Sequence, residues 1–204
     1  MEETTTANVA TAAAPPRVSL APRLAASKTM RTFVVHVEDR PGVLNRVASL
    51  FRRRGYNIDS LTVGRTHEPG VSRMTIVTEA DAEMARLFEA NLYKLVNVLR
   101  VEDITDRPAV VRDMALIKVR AREKHRAEVL QLCEVFRARV VDITPESLVV
   151  EITGTSDKID GLLTVLRPFG IDEMVHSGAV AMTRGAASAS GPAGLPLHAA
   201  LEGA

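Results

Sequence analysis

The stretch Arg31-Thr32-Phe33-Val34-Val35-His36-Val37-Glu38-Asp39-Arg40-Pro41-Gly42-Val43-Leu44-Asn45-Arg46-Val47-Ala48-Ser49-Leu50-Phe51 changes its periodicity partway along. Residues 31–37 are β-branched and aromatic and predict a strand, which the Asp39-Arg40-Pro41-Gly42 cluster ends. Beyond it Val43, Leu44, Val47, Leu50 and Phe51 recur at helical spacing, with Arg46, Arg52, Arg53 and Arg54 off that face. Gly55 follows as the expected C-cap.

Working outward, Tyr56 to Arg65 alternates as a strand, and Thr66 to Gly70 reads as a hairpin connection to a further strand, Val71 to Thr78. Asp81 offers an N-cap to a helix with Met84, Leu87, Phe88, Leu92, Leu95 and Val96 on one face, and Val98 to Ile104 closes the unit as a strand. The order is βαββαβ. After a linker around residues 106–112 the same order restarts: strand Met114 to Ala121, helix Glu123 to Arg137, strand Arg139 to Thr144, strand Leu148 to Thr153, a helix capped by Ser156, and a last strand from Ile171 towards Met182. The expected fold is α+β, with two tandem ferredoxin-like units at 30–105 and 113–185. Each unit has a four-stranded antiparallel sheet with both helices on one face. The uncovered sheet faces and open edges predict dimerisation by edge pairing or face packing. Residues 1–29 and 186–204, rich in Ala, Ser, Thr, Pro and Gly, read as a disordered extension and a flexible tail.

Composition narrows the function classes. A formal net charge of +1 supplies no general basic footprint for a nucleic acid backbone. A lone cysteine, Cys133, excludes an internal disulfide and a thiolate metal cluster, and suits a reducing compartment such as the cytoplasm. Apolar runs are broken every few residues by charge, so no membrane span is expected, and Met1-Glu2-Glu3 lacks the basic start of a secretory signal. His36, His67, His125, His176 and His198 have no metal-ligand spacing. No Gly-rich phosphate loop or nucleophile-base-acid set is found.

The turn at Asp39 to Leu44 carries the chemistry. Free amides near Gly42, Val43 and Leu44, with a helix dipole behind them, suit a carboxylate, and Asp39 is placed to accept from an ammonium. Both charged ends of a free amino acid thus have complementary partners. Read from spacing alone, a well-made strand-to-helix turn with no ligand is the favoured reading.

The segment resembles the ligand-binding turn of ACT domains, ferredoxin-like modules that bind amino acids. Further blocks narrow the resemblance: Phe51-Arg52-Arg53-Arg54-Gly55-Tyr56-Asn57-Ile58-Asp59-Ser60-Leu61, Ser72-Arg73-Met74-Thr75-Ile76, Lys94-Leu95-Val96-Asn97-Val98, Arg112-Asp113-Met114-Ala115-Leu116-Ile117-Lys118-Val119, Val141-Asp142-Ile143-Thr144, Thr153-Gly154-Thr155, Ser177-Gly178 and Arg184-Gly185. Over about residues 30 to 185 these are similar to the small regulatory subunits of acetohydroxyacid synthase. The resemblance implies a homodimer binding valine or a related branched-chain amino acid between two copies. Asp39, Gly42, Val43 and Leu44 would come from one copy, Asn57 and Ile58 from the other. Many members carry Asn at the position of Asp39; the carboxylate here adds a full charge toward the ammonium.

The resemblance further implies a catalytic subunit as partner, carrying the thiamine diphosphate, Mg and FAD, with no cofactor on this chain. That partner is activated by the chain and inhibited when the amino acid binds. The competing expectations are a free-standing amino-acid sensor, for which no helix-turn-helix flanks the unit, and an RNA-binding sheet, for which only Phe33 is suitably placed.

Overall fold

The computed structural model describes residues 28–185, so the expected extensions, apart from Lys28 and Thr29, and His198 lie outside the described residues. The first unit comprises β1 (Thr29–Glu38), α1 (Val43–Arg53), β2 (Ser60–Arg65), β3 (Val71–Ala80), α2 (Ala82–Leu92) and β4 (Val98–Asp103). Its antiparallel sheet has the order β2-β3-β1-β4. The second comprises β5 (Ala109–Arg120), α3 (Glu123–Val135), β6 (Arg139–Ile143), β7 (Ser147–Gly154), α4 (Ser156–Leu166) and β8 (Ile171–His176), with β9 (Val180–Thr183) after it. Its sheet runs β6-β7-β5-β8. The fold is α+β, two tandem ferredoxin-like units.

Period-two alternation sends Phe33, Val35 and Val37 of β1 to one face, where they join Met74, Ile76 and Val101 beneath the helices. Val43, Val47, Leu50 and Phe51 of α1 and Ala85, Phe88 and Leu92 of α2 close this core. Phe88 is its centre: its ring lies 5.1 Å from Phe51, 5.7 Å from Phe33 and 4.1 Å from Tyr56, centroid to centroid. The second core repeats the plan with Ala115, Ile117, Val119, Leu148, Val150 and Ile152 under Val129, Cys133, Ile159, Leu162 and Leu166.

The helix ends follow local chemistry. Asp81 caps α2 through the Met84 amide at 2.8 Å. Helix α1 closes in a Schellman motif, with the Gly55 amide on the Arg52 carbonyl, the Tyr56 amide on the Phe51 carbonyl, and Gly55 at φ 68°. That exit carries Tyr56 and Ile58 down onto the core, so β2 starts at Ser60 rather than Tyr56. Leu44 and Leu87 are exposed, and Val96 stands 90% exposed in the turn after α2, whose helix ends at Leu92. The residue at the start of α4 is also corrected: Thr155 holds the N-cap position, while the Ser156 hydroxyl donates to Asp113 at 2.6 Å.

The last strand is broken. Ser177, Gly178 and Ala179 interrupt it, and β9 pairs with Ala109–Arg112, a start of β5 inside the span the sequence reading gives to the linker. Ala181, with Ala109 and Val111, packs on Val34 and Ile104. The helix-free face of the first sheet is therefore covered in part by the chain's own second unit. The 177–179 connection also clasps β2: the Ala179 amide donates to Ser60 Oγ at 2.9 Å, and Thr62 Oγ1 donates to the Ser177 carbonyl at 3.3 Å. Gly178 sits at φ 78°, and a Cβ there would stand 2.6 Å from Ser60 Oγ, so only glycine fits. Among the described residues no helix is long and apolar enough to cross a membrane.

Candidate functional site

The turn between β1 and α1 is held from three sides. The Asp39 amide donates to the Gly70 carbonyl at 2.8 Å, docking it on the β2–β3 hairpin. The Glu38 amide donates to the Asn97 carbonyl at 2.9 Å, the Asn97 side-chain amide donates to the Glu38 carboxylate, and Arg46 of α1 donates to Asn97 Oδ1. Glu38 and Asn97 are both buried. This network fixes the turn to α1 and to the loop before β4. No sequence signal marks it, because it joins residues far apart along the chain.

Gly42 is the N-cap of α1, at φ 84° and ψ −8°. Pro41 therefore precedes the helix instead of occupying its first turn, since the left-handed Gly42 stands between it and Val43. No side chain caps α1 and its first turn holds no acidic residue. Among the described residues the amides of Gly42, Leu44 and Asn45 have no acceptor; the Val43 amide makes only a long contact with the Arg40 carbonyl, at 3.4 Å. A Cβ at Gly42 would meet nothing within 4 Å, its chain neighbours aside, so the turn is uncrowded at that position. Unsatisfied amides plus the positive end of a helix dipole suit a carboxylate.

Asp39 lies beside them. Its carboxylate accepts from Ser72 Oγ at 3.2 Å and pairs with Arg65 Nε at 3.0 Å. An arriving ammonium would share this carboxylate with Arg65, a partner the sequence did not disclose. Val43 turns its side chain into the core, while Leu44 offers an exposed apolar surface.

Asn57 and Ile58 lie elsewhere in the same chain. The Asp59 amide bonds to the Val77 carbonyl and the Thr78 hydroxyl to the Asn57 carbonyl, whereas Asp39 is tied to Ser72. Ser72 and Val77 are about 17 Å apart along β3 at roughly 3.3 Å per residue. One copy thus does not bring the two groups together; the Asn57 side chain donates to Asp59 Oδ1 at 3.1 Å.

On the opposite face of the sheet, His36 stands in register between Arg73 and Arg100. Arg73 donates to the Ala181 carbonyl of β9, and Arg100 pairs with Glu102 at 2.8 Å, which Arg107 also meets at 3.3 Å. Burial first, then the charges of Arg73 and Arg100, lower the His36 pKa from 6.5 to about 4. The folded protein holds His36 neutral where the unfolded chain would take a proton, so stability is expected to fall as pH drops from 6.5 towards 4. Urea titrations across that window should show this slope, and a His36→Gln variant should flatten it; an unchanged slope would place the effect elsewhere.

Burial pushes the Cys133 thiol up, away from reactivity. Asp113 accepts from Ser156 at 2.6 Å and meets His176 Nε2 at 3.5 Å, so the carboxylate lies between hydroxyl and imidazole. Among the described residues no three His, Cys, Asp or Glu gather as metal ligands. Phe33 is fully buried under the helices and cannot stack a base.

Comparison with known proteins identifies the family. Residues 33–100 match the family described as AHAS small subunit-like ACT domain, and residues 112–185 the family described as small subunit of acetolactate synthase. The chain is 48% identical over 159 residues to the acetolactate synthase small subunit of Mycobacterium bovis, covering 78% of this chain and 95% of that one. It is 46% identical over 154 residues to a probable acetolactate synthase small subunit of Archaeoglobus fulgidus, covering 76% and 96%. The crystal structure of the acetolactate synthase small subunit from Thermotoga maritima superposes with a TM-score of 0.73 at 37% identity, covering 78% of this chain and 99% of that chain.

Proposed function

Because this chain belongs to the family of acetolactate synthase small subunits, we propose that it is a regulatory subunit that stimulates a catalytic partner and makes it answer to a branched-chain amino acid. The observation that carries the reading is the uncapped, uncrowded N-terminus of α1 beside Asp39. The effector carboxylate takes the amides of Gly42, Leu44 and Asn45, and its ammonium takes Asp39. Its apolar side chain packs on Leu44. Asn57 and Ile58 of a second copy complete the pocket, which fits their separation from Asp39 within one chain and supports a homodimer.

Chemistry remains on the partner, which holds the thiamine diphosphate, Mg and FAD, in the cytoplasm. The signal has a physical route. Asn57 and Ile58 lead directly into β2, and β2 is bonded through Ser60 and Thr62 to Ser177–Ala179 of the second unit. Effector binding that shifts the start of β2 therefore moves the second unit through a connection in which Gly178 leaves no slack.

Calorimetric titration of the purified chain with valine, leucine and isoleucine tests the pocket. Saturable binding of at least one, at one ligand per Asp39 turn and weakened by Asp39→Ala, is expected. Binding unaffected by that change would remove the turn from the site.

A further inference from the structure

Helix α1 has a second functional end. At its C-terminus, beside that of α2, Leu50, Arg53, Arg54, Asn91, Lys94 and Leu95 line an open cavity of about 410 Å³. Buried Asn91 organises its charges: Asn91 Oδ1 accepts from Arg54 Nη2 at 3.1 Å and from Lys94 Nζ at 3.3 Å, while its own amide donates to the Leu87 carbonyl at 2.7 Å. Among the described residues no carboxylate lies within 4.0 Å of Arg53, Arg54 or Lys94, whereas Arg31, Arg65, Arg100 and Arg139 each have one. The two helix ends contribute only about −0.5 elementary charge apiece, which leaves roughly two positive charges unbalanced. Leu50 and Leu95 are its apolar lining, and Val96, next to Leu95 in sequence, is exposed.

We infer that this cavity docks an acidic segment of the catalytic subunit, a carboxylate meeting Arg53, Arg54 and Lys94 while an apolar neighbour covers Leu50 and Leu95. Leu50, Leu95 and Val96 favour a protein segment over a compact free anion, which would leave them wet. The inference rests on the regulatory-subunit reading and adds where the partner sits. Helix α1 then holds the effector turn at its N-terminus and the partner at its C-terminus, about 16 Å apart. The Arg46–Asn97–Glu38 network ties the loop carrying Lys94 to the same turn. Effector binding can thereby act on docking through one rigid element.

The test is the affinity of the full chain for the catalytic subunit from the same source, as a function of salt, for the parent, for the Arg53→Glu, Lys94→Glu double variant, and for Lys124→Glu on α3 as a charge control. The double variant should bind at least about tenfold more weakly, with a shallower salt dependence, while the control binds like the parent. Valine binding by the double variant should persist, showing that the first unit is folded. Parent-like affinity in the double variant would overturn the inference, as would an equal loss in the control, which would mark a general charge effect. Loss of tripolyphosphate binding with the catalytic subunit still held would assign the cavity to a small anion instead. If the parent itself forms no complex, the regulatory-subunit reading fails first, and this docking with it.

Discussion

In the Gly42→Asp variant, valine inhibition should disappear while stimulation of the catalytic subunit persists. The new carboxylate would stand where the effector carboxylate binds. At 4 Å such a pair repels by about 1 kcal/mol in water and about 4 kcal/mol at the effective dielectric of a protein surface, a loss of about fivefold to about a thousandfold in affinity. A second effect acts in the same direction. The added carboxylate also sits at the positive end of the α1 dipole and neutralises part of the field an incoming carboxylate would use.

The fold should tolerate the change. No atom lies within 4 Å of a Cβ at this position, and although φ is 84°, Asp enters the left-handed region more readily than most residues. The strain, about 1–3 kcal/mol, is a fraction of the roughly 5–15 kcal/mol that a small domain holds. Gly42→Ala separates the two effects, since it adds the strain without the charge and should weaken inhibition without abolishing it. Valine inhibition curves for both variants, measured on the reconstituted enzyme, check this; full inhibition of the Asp variant would move the effector away from this turn.

Truncating Phe88 should be the most damaging single change to the first unit. Its ring is fully buried and meets Phe33, Phe51 and Tyr56, so it joins β1, α1, α2 and the exit from α1. Phe→Ala at such a site costs about 3–5 kcal/mol through lost transfer energy and an unfilled cavity. Since small domains hold only about 5–15 kcal/mol in total, denaturant unfolding of the variant should show the first unit melting early, with effector binding lost at moderate temperature. Phe88→Leu should restore much of it. A cost under about 1 kcal/mol would mean that the ring's neighbours close over the gap and that it does not organise the core.

Element types were legible because periodicity is a local property. Alternation in 31–37 and helical spacing in 43–51 mark β1 and α1. The departures arise where tertiary contacts override the pattern. Tyr56 and Ile58 alternate like strand residues yet serve the core beside Phe88, and Val96 keeps helical spacing with Leu92 although α2 has already ended. The break at Ser177–Ala179 has a glycine as its signal, but its purpose emerges only against Ser60, 119 residues away from Ala179.

The site divides in the same way. Gly42 and Asp39 could be read from the turn, because Pro and Gly announce a special backbone and an N-terminus implies free donors. The Glu38–Asn97–Arg46 lock and the Arg65 partner of Asp39 could not, since each depends on strand register and loop placement that no local pattern encodes. The same holds for the row of Arg73, His36 and Arg100, assembled from three strands.

The most direct test of the central claim is acetolactate formation by the purified catalytic subunit from the same source, with and without this chain, across a valine titration. The account predicts that the chain raises the rate and that valine reverses the gain. A rate indifferent to the chain at every valine concentration would contradict it.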